Sequence, residues 1–219
     1  MSKNIDNIQK LTIDEVQEYL DFILQILCVL VINKKVYSDF HTALIEQKAR
    51  PNMFVRWCIN NYYDTLIMNL CKLLEPKKED KERKTLKHFL KSIENPNNWE
   101  TIYKYKMKQT RYKAVKASTG ETIELDFGQY IKDVLNNMNV QADIDKIEDI
   151  HTKLKPIRDK KIAHSTKETP NEIFFSELHN YIEILKEIIT KYYRIFGKIV
   201  LFDTLENDVD YHGFNITIT

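Results

Sequence analysis

Two long stretches in which apolar residues recur at spacings of three and four constrain this chain more than any other feature. After Thr12, the residues Val16, Tyr19, Leu20, Ile23, Leu27, Leu30 and Val31 fall on one helical face, and the pattern continues through Val36, Tyr37, Phe40, Leu44 and Ile45. Thr12 followed by Glu15 has the form of a capping box, so a long first helix starts there. It runs to Arg50-Pro51, where the residue before proline is driven out of the α region. Asn52 then caps a second helix that carries Val55, Ile59, Tyr62, Leu66, Leu70, Leu73 and Leu74 as far as Glu75-Pro76. A sandwich or propeller needs frequent turns, and four glycines and five prolines in 219 residues do not supply them. The expected class is all-α, or mainly α: a bundle of long antiparallel helices.

The remaining chain fits that frame. KKEDKERK, residues 77 to 84, has nothing to bury and reads as a solvated connection, followed by a short amphipathic helix from Leu86 to Ile93. Trp99, Ile102, Tyr103 and Met107 fit a helix, while Ile123, Leu125 and Phe127 alternate with polar neighbours after Ser118-Thr119-Gly120 and suggest a small β-hairpin inserted at about 110–128. Another helical stretch covers about 129–138. After Asp143, the spacing of Ile144, Ile147, Ile150, Leu154 and Ile157 starts a helix that Pro156 bends. Thr169-Pro170-Asn171-Glu172 combines a cap, a first-turn proline and the acid of a capping box ahead of a last long helix to Gly197. One domain over residues 1–197 with a tail at 198–219 is the expected organisation. Cys28, Cys58 and Cys71 lack close spacing and read as buried free thiols. The polar opening MSKNIDNIQK and the shortness of the greasy run from Phe22 to Ile32 argue for a soluble cytoplasmic protein without a membrane span.

Chemistry concentrates in LKPIRDKKIAHS, Leu154 to Ser165. Arg158 is a permanent cation and His164 titrates near neutrality, so together they can stabilise and protonate a phosphate. Six residues rotate the two side chains by roughly 240° on an ideal α-helix, so either this helix is irregular or a second copy of it completes the site. The competing reading is a solvated last-turn arginine and a histidine serving as a polar cap. The formal charge of +1 hides a balance of +8 from Lys77 to Lys116 and of −6 from Glu121 to Asp149. Within the basic segment, WETIYKYKMKQTRYK interleaves Trp99, Tyr103, Tyr105 and Tyr112 with lysines. That strip either holds single-stranded RNA by phosphate contacts and stacking or turns its aromatics to the core. The histidines form no ligand set and no Gly-rich phosphate loop is present, so neither a catalytic metal nor a cofactor is expected.

With these residues in view, the sequence resembles the HEPN superfamily, and within it the AbiU2-like abortive-infection branch. The hallmark is an Arg, a polar residue, and a His four to six residues after the Arg, here Arg158, Asp159 and His164. The stretch YYDTLIMNLCKLLEP, Tyr62 to Pro76, and the following KTLKHFL resemble that branch's second helix and the short helix after it. The resemblance implies a HEPN-type helical bundle and a metal-independent endoribonuclease of a phage-defence or toxin type. It implies a homodimer whose motif helices face one another across a cleft. His164 is then the proton-transfer group, Arg158 holds the developing charge and Asp159 orients either one. Lys160, Lys161, Asp64 and Asn69 are the implied substrate-binding residues, RNA is the partner, and a cognate antitoxin is a further one. The tyrosine that follows the His in HEPN toxins silenced by nucleotidyl transfer is absent here. The rival reading is a catalytically inactive HEPN-like module that binds RNA, a nucleotide or a protein.

Overall fold

A computed structural model describes residues 10–48, 52–75, 84–109, 135, 138–163 and 173–196. Every regular element among them is helical, as the all-α expectation requires: α1 (Ile13–Glu46), α2 (Met53–Leu74), α3 (Leu86–Glu94), α4 (Trp99–Gln109), α5 (Val140–Ile157) and α6 (Phe175–Tyr193). A π-helical turn, Arg158–Ala163, continues α5, and 3-10 turns stand at Pro96–Asn98 and Arg194–Phe196. The hairpin expected at about 110–128, nearly all of the stretch at 129–138, the Thr169–Glu172 cap and the 198–219 tail lie outside the described residues. No helix among the described residues is long and apolar enough to cross a membrane.

Local chemistry sets the helix ends. The Thr12 backbone donates to Glu15 Oε2 at 2.7 Å and the Glu15 backbone donates to Thr12 Oγ1 at 3.2 Å, which closes the capping box. α1 stops at Glu46, short of the expected Arg50-Pro51. Lys48 takes a left-handed backbone (φ 49°) and its N–H turns back to the Ile45 carbonyl at 3.0 Å, which ends the helix before the proline does. Asn52 caps α2 through Oδ1, accepting from Val55 N at 2.9 Å, and Thr85 caps α3 by accepting from His88 N. α5 starts three residues before the expected Asp143, because Asn139 Oδ1 accepts from Ala142 N at 3.0 Å and opens the helix there.

The chain divides into two compact units. The first takes α1 as far as Ile23, α3, α4, α5 as far as Glu148 and α6 from Glu187 with the 3-10 turn after it. Leu20, Ile23, Phe89, Ile93, Ile102, Tyr105 and Phe196 are buried in it, and Phe89 stacks on Phe196 at 5.6 Å between ring centroids. Polar groups are buried with partners. Asn98, fully buried, accepts from Leu11 N at 2.8 Å and donates to the Ser92 carbonyl at 2.9 Å. Asp143 receives the Tyr192 hydroxyl at 2.8 Å and pairs with Lys191, and burial together with that carboxylate drives the tyrosine's pKa upward. Tyr19 hydrogen-bonds His88 at 2.5 Å, and burial pushes the phenol up to about 12.

The second unit takes α1 from Leu24, α2, α5 from Asp149 with the π turn, and α6 as far as Lys186. Leu27, Leu30, Leu66, Ile67, Leu70, Leu154, Ile182 and Leu185 are buried in it. Tyr37 lies flat on Tyr62 (4.2 Å, 5°) and on Phe175 (4.8 Å), which ties α1, α2 and α6 together. The Tyr62 hydroxyl also hydrogen-bonds His179 Nε2 at 2.8 Å, and Tyr63 accepts from Ile173 N at 3.4 Å. Cys71 is buried as expected, whereas Cys28 and Cys58 are only half-buried; all three are free thiols.

Asn98→Ala leaves the Leu11 N–H and the Ser92 carbonyl without their partner, so it is expected to lower the free energy of unfolding by roughly 2 to 4 kcal/mol in urea titrations. A pH prediction follows from two half-buried histidines. Burial holds His88 and His179 below their ordinary range, with Lys91 and Lys34 respectively adding repulsion and Glu183 partly offsetting it at His179. Between the lowered folded value and about 6.5 the unfolded chain binds more protons, so stability falls as pH drops through that window. Urea midpoints at about pH 7.5 and about pH 6 should show this fall, and His179→Asn should make it shallower.

Candidate functional site

The site is built where α5 loses its regularity. Leu154 and Ile157 anchor the end of the helix in the core. Pro156 between them has no N–H to give the Thr152 carbonyl, and its ring crowds that carbonyl. From Arg158 the hydrogen bonding widens to the i→i+5 pattern through Ala163, a single π turn of the kind found where helices carry functional groups. The helix is thus irregular at the motif, one of the two conditions the angular argument named.

The π turn packs on α2. Arg158, its side chain 18 % exposed, donates through Nε at 2.9 Å and Nη2 at 2.6 Å to Asp159 Oδ1. Asp159 Oδ2 accepts from Lys155 Nζ at 2.5 Å. That lysine bond, with Arg158 behind it and partial burial opposing, holds the Asp159 carboxyl below the usual carboxylate range. Lys160 is exposed on the same turn. The Lys161 side chain and His164 lie outside the described residues. The structure therefore joins Arg158 and Asp159, with Lys155 as a third member that the sequence reading did not single out.

On α2, Cys71 marks the surface that meets the π turn. Burial pushes its thiol up to about 11, while Arg158 and Lys155 pull it down and Asp159 pushes it up, so the charged cluster lies within electrostatic reach. Seven residues are almost two full turns, so Asp64 sits on the same side of α2 as Cys71, about 10.5 Å along the axis. Its Oδ1 is buried and has no hydrogen-bond partner among the described residues. Asn69 stands about 160° around α2 from Cys71, and its amide donates to the Thr65 carbonyl at 3.1 Å. Asp64 is thus on the side of the motif, and Asn69 is not.

The basic aromatic strip of α4 resolves toward the core. Tyr105 is fully buried and its hydroxyl donates to Gln17 Oε1; the Trp99 indole donates to the Ile93 carbonyl at 3.0 Å; Lys104 pairs with Glu100. Tyr103 is half-buried, and Tyr112 lies outside the described residues. Exposed aromatics occur elsewhere, at Phe54, Trp57 and Phe174. Phe54 and Trp57 drew no attention in the sequence because both fall off the stripe that defines the buried face of α2. A second apolar stripe on that helix is the signal that finds them. Among the described residues, no group of three His, Cys, Asp or Glu side chains is placed to hold a metal ion.

Compared with known proteins, residues 5–211 match the HEPN family model described as AbiU2. No curated protein and no solved structure matches.

The packing of the π turn on α2 has a chemical readout. With the native protein at about pH 8, iodoacetamide is expected to modify half-buried Cys58 well before Cys71, whose thiol is both covered and high in pKa. Peptide mass spectrometry after timed quenching measures the ratio, and equal labelling would show that the π turn does not cover this part of α2.

Proposed function

The chain belongs to the AbiU2 family of HEPN proteins, a family of abortive-infection systems, and from that premise we propose that it is an endoribonuclease of a phage-defence or toxin type. The RNA 2′-hydroxyl attacks the adjacent phosphorus, the P–O5′ bond breaks, and the products carry a 2′,3′-cyclic phosphate and a 5′-hydroxyl. His164 takes the proton from the nucleophile or delivers one to the leaving oxygen, and Arg158 stabilises the charge that gathers on the phosphoryl oxygens. RNA brings its own nucleophile, so these two groups suffice without a metal ion.

The observation that carries this reading is the placement of Arg158 at the head of a π turn, packed on α2, with its guanidinium oriented by Asp159. Lys155 at the end of α5 and exposed Lys160 on the turn make this region net cationic, and Lys161 adds to the charge in sequence. Asp64, whose buried Oδ1 has no hydrogen-bond partner among the described residues, is placed to accept from a substrate hydroxyl or base amine. The reading includes a homodimer. Its support is an exposed aliphatic stripe on α1, Val29, Ile32 and Val36 at i, i+3 and i+7, together with Met68 on α2. It also includes a cytoplasmic setting, where RNA is at hand, and a cognate antitoxin as a partner. A second reading, a catalytically silent module that binds RNA, a nucleotide or a protein, draws on one observation: Asp159 already occupies Arg158, so a phosphate must share or displace that carboxylate.

The wild-type protein is expected to cleave single-stranded RNA in excess EDTA and to leave 2′,3′-cyclic phosphate ends. Arg158→Ala and His164→Ala are each expected to lower the rate by about 10² or more while the circular dichroism spectrum stays helical. Light scattering should give twice the chain mass. Complete inhibition by EDTA, or full activity in His164→Ala, overturns this mechanism, and an absence of cleavage by the wild-type protein moves the function to the binding module.

A further inference from the structure

Phe54 and Trp57 stand one turn apart at the start of α2, each 61 % exposed, with ring centroids 6.1 Å apart and planes within 23°. The other ring clusters described in the second unit are satisfied internally, as in Tyr37 on Tyr62 and Phe175. This pair is largely exposed, which leaves a large apolar area uncovered. Arg56, between the two in sequence, is exposed, and so is Lys48 in the turn before α2. No acid lies in the first turn of α2, and Asp64 is the sole carboxylate of the helix. Flat rings beside cations are what single-stranded nucleic acid binds: bases stack and phosphates pair.

The position relative to the motif decides between a strand of RNA and an unrelated partner. Trp57 is fourteen residues from Cys71, which places it within about 40° on the same side of α2 and about 21 Å along the axis. Asn60 and Asn61, both exposed, lie between them, with amides suited to base edges. A strand whose phosphate sits at Arg158 and which follows this side of α2 reaches the ring pair after a few nucleotides. We propose that Phe54 and Trp57 form a base-stacking subsite for single-stranded RNA, holding nucleotides a short way along the strand from the phosphate that Arg158 engages. The proposal rests on the RNA-directed reading of the motif above, although it does not require cleavage.

The test uses a 12-nucleotide 2′-O-methyl oligoadenylate, which has no free 2′-hydroxyl, so binding is read apart from catalysis. The chain has two tryptophans; Trp99 is half-buried with its indole bonded to Ile93, so Trp99→Phe leaves Trp57 as the sole tryptophan, excited at about 295 nm apart from the tyrosines. Saturable quenching of Trp57 emission by the oligonucleotide is expected. Trp57→Ala should weaken binding, read by anisotropy of a labelled oligonucleotide, by roughly fivefold to a hundredfold, Trp57→Phe should restore most of it, and Arg56→Ala should flatten its salt dependence. These results stand as support even if the wild-type protein cleaves no RNA, in which case only the nuclease reading is lost. Equal oligonucleotide affinity in wild-type and Trp57→Ala proteins overturns the subsite, as does an absence of binding by wild type. A fall in mass of Trp57→Ala by light scattering, with oligonucleotide binding unchanged, also overturns it and assigns the ring pair to a second copy of the chain.

Discussion

The missing N–H of Pro156 is the constraint on which the motif segment depends. An α-helix carried straight through Arg158 to Ala163 would keep its i→i−4 ladder intact, and a proline inside it costs about 3 kcal/mol or more. Here α5 keeps Leu154 and Ile157 in the core and changes its hydrogen-bond register immediately afterwards. The widened turn spreads successive side chains differently from an α-helix, so Arg158, Asp159 and Lys160 are presented by a backbone that their own sequence would not select. A residue that looks like a defect in a helix is thus what distinguishes this end of α5 from an ordinary C-terminus.

The charges on that turn do different work from the charges in the core. Asp159 lies between Arg158 and Lys155 in a partly exposed setting, where ion pairs contribute little to stability. Its value is geometric: two contacts fix the guanidinium plane. Asp143 is the opposite case, an almost fully buried carboxylate that receives the Tyr192 hydroxyl and half-buried Lys191 and whose loss would leave the Tyr192 hydroxyl without its partner in the interior. One acid orients the Arg158 guanidinium and the other joins α5 to α6, and a net charge of the whole chain near zero says nothing about either.

What was legible in the sequence was local. The Thr12–Glu15 capping box, the Asn52 cap and the apolar face of α1 from Val16 to Val31 all depend on residues within four positions of each other, and the structure has them where the spacing put them; the same face does not continue to the end of α1, where Val36 and Ile45 are exposed. The Arg158–Asp159 pair was equally visible, since adjacency needs no fold. Contacts across the chain were not legible. Asp143 read as the polar residue before a helix because its partners Lys191 and Tyr192 are nearly fifty residues away. Asn98 gave no sign that it would bridge Leu11 and Ser92. Tyr105, set among lysines, looked as much like a stacking surface as a core residue, and only the packing of α4 turned it inward. The end of α1 was misjudged for a similar reason, because a left-handed Lys48 has no compositional signature comparable to a proline.

The ring stack that joins Tyr62 to Phe175, and the bond from Ile173 to Tyr63, have a consequence in time. α2 leaves the ribosome about a hundred residues ahead of α6, a delay of roughly 5 to 20 s at ordinary elongation rates. Through that interval Tyr62 and Tyr63 have no Phe175 or His179 to lie against, and the nascent chain carries that face of α2 uncovered. A message that is cut or stalled before α6 is translated yields a chain whose second unit cannot close. Completion of the fold is therefore tied to completion of translation.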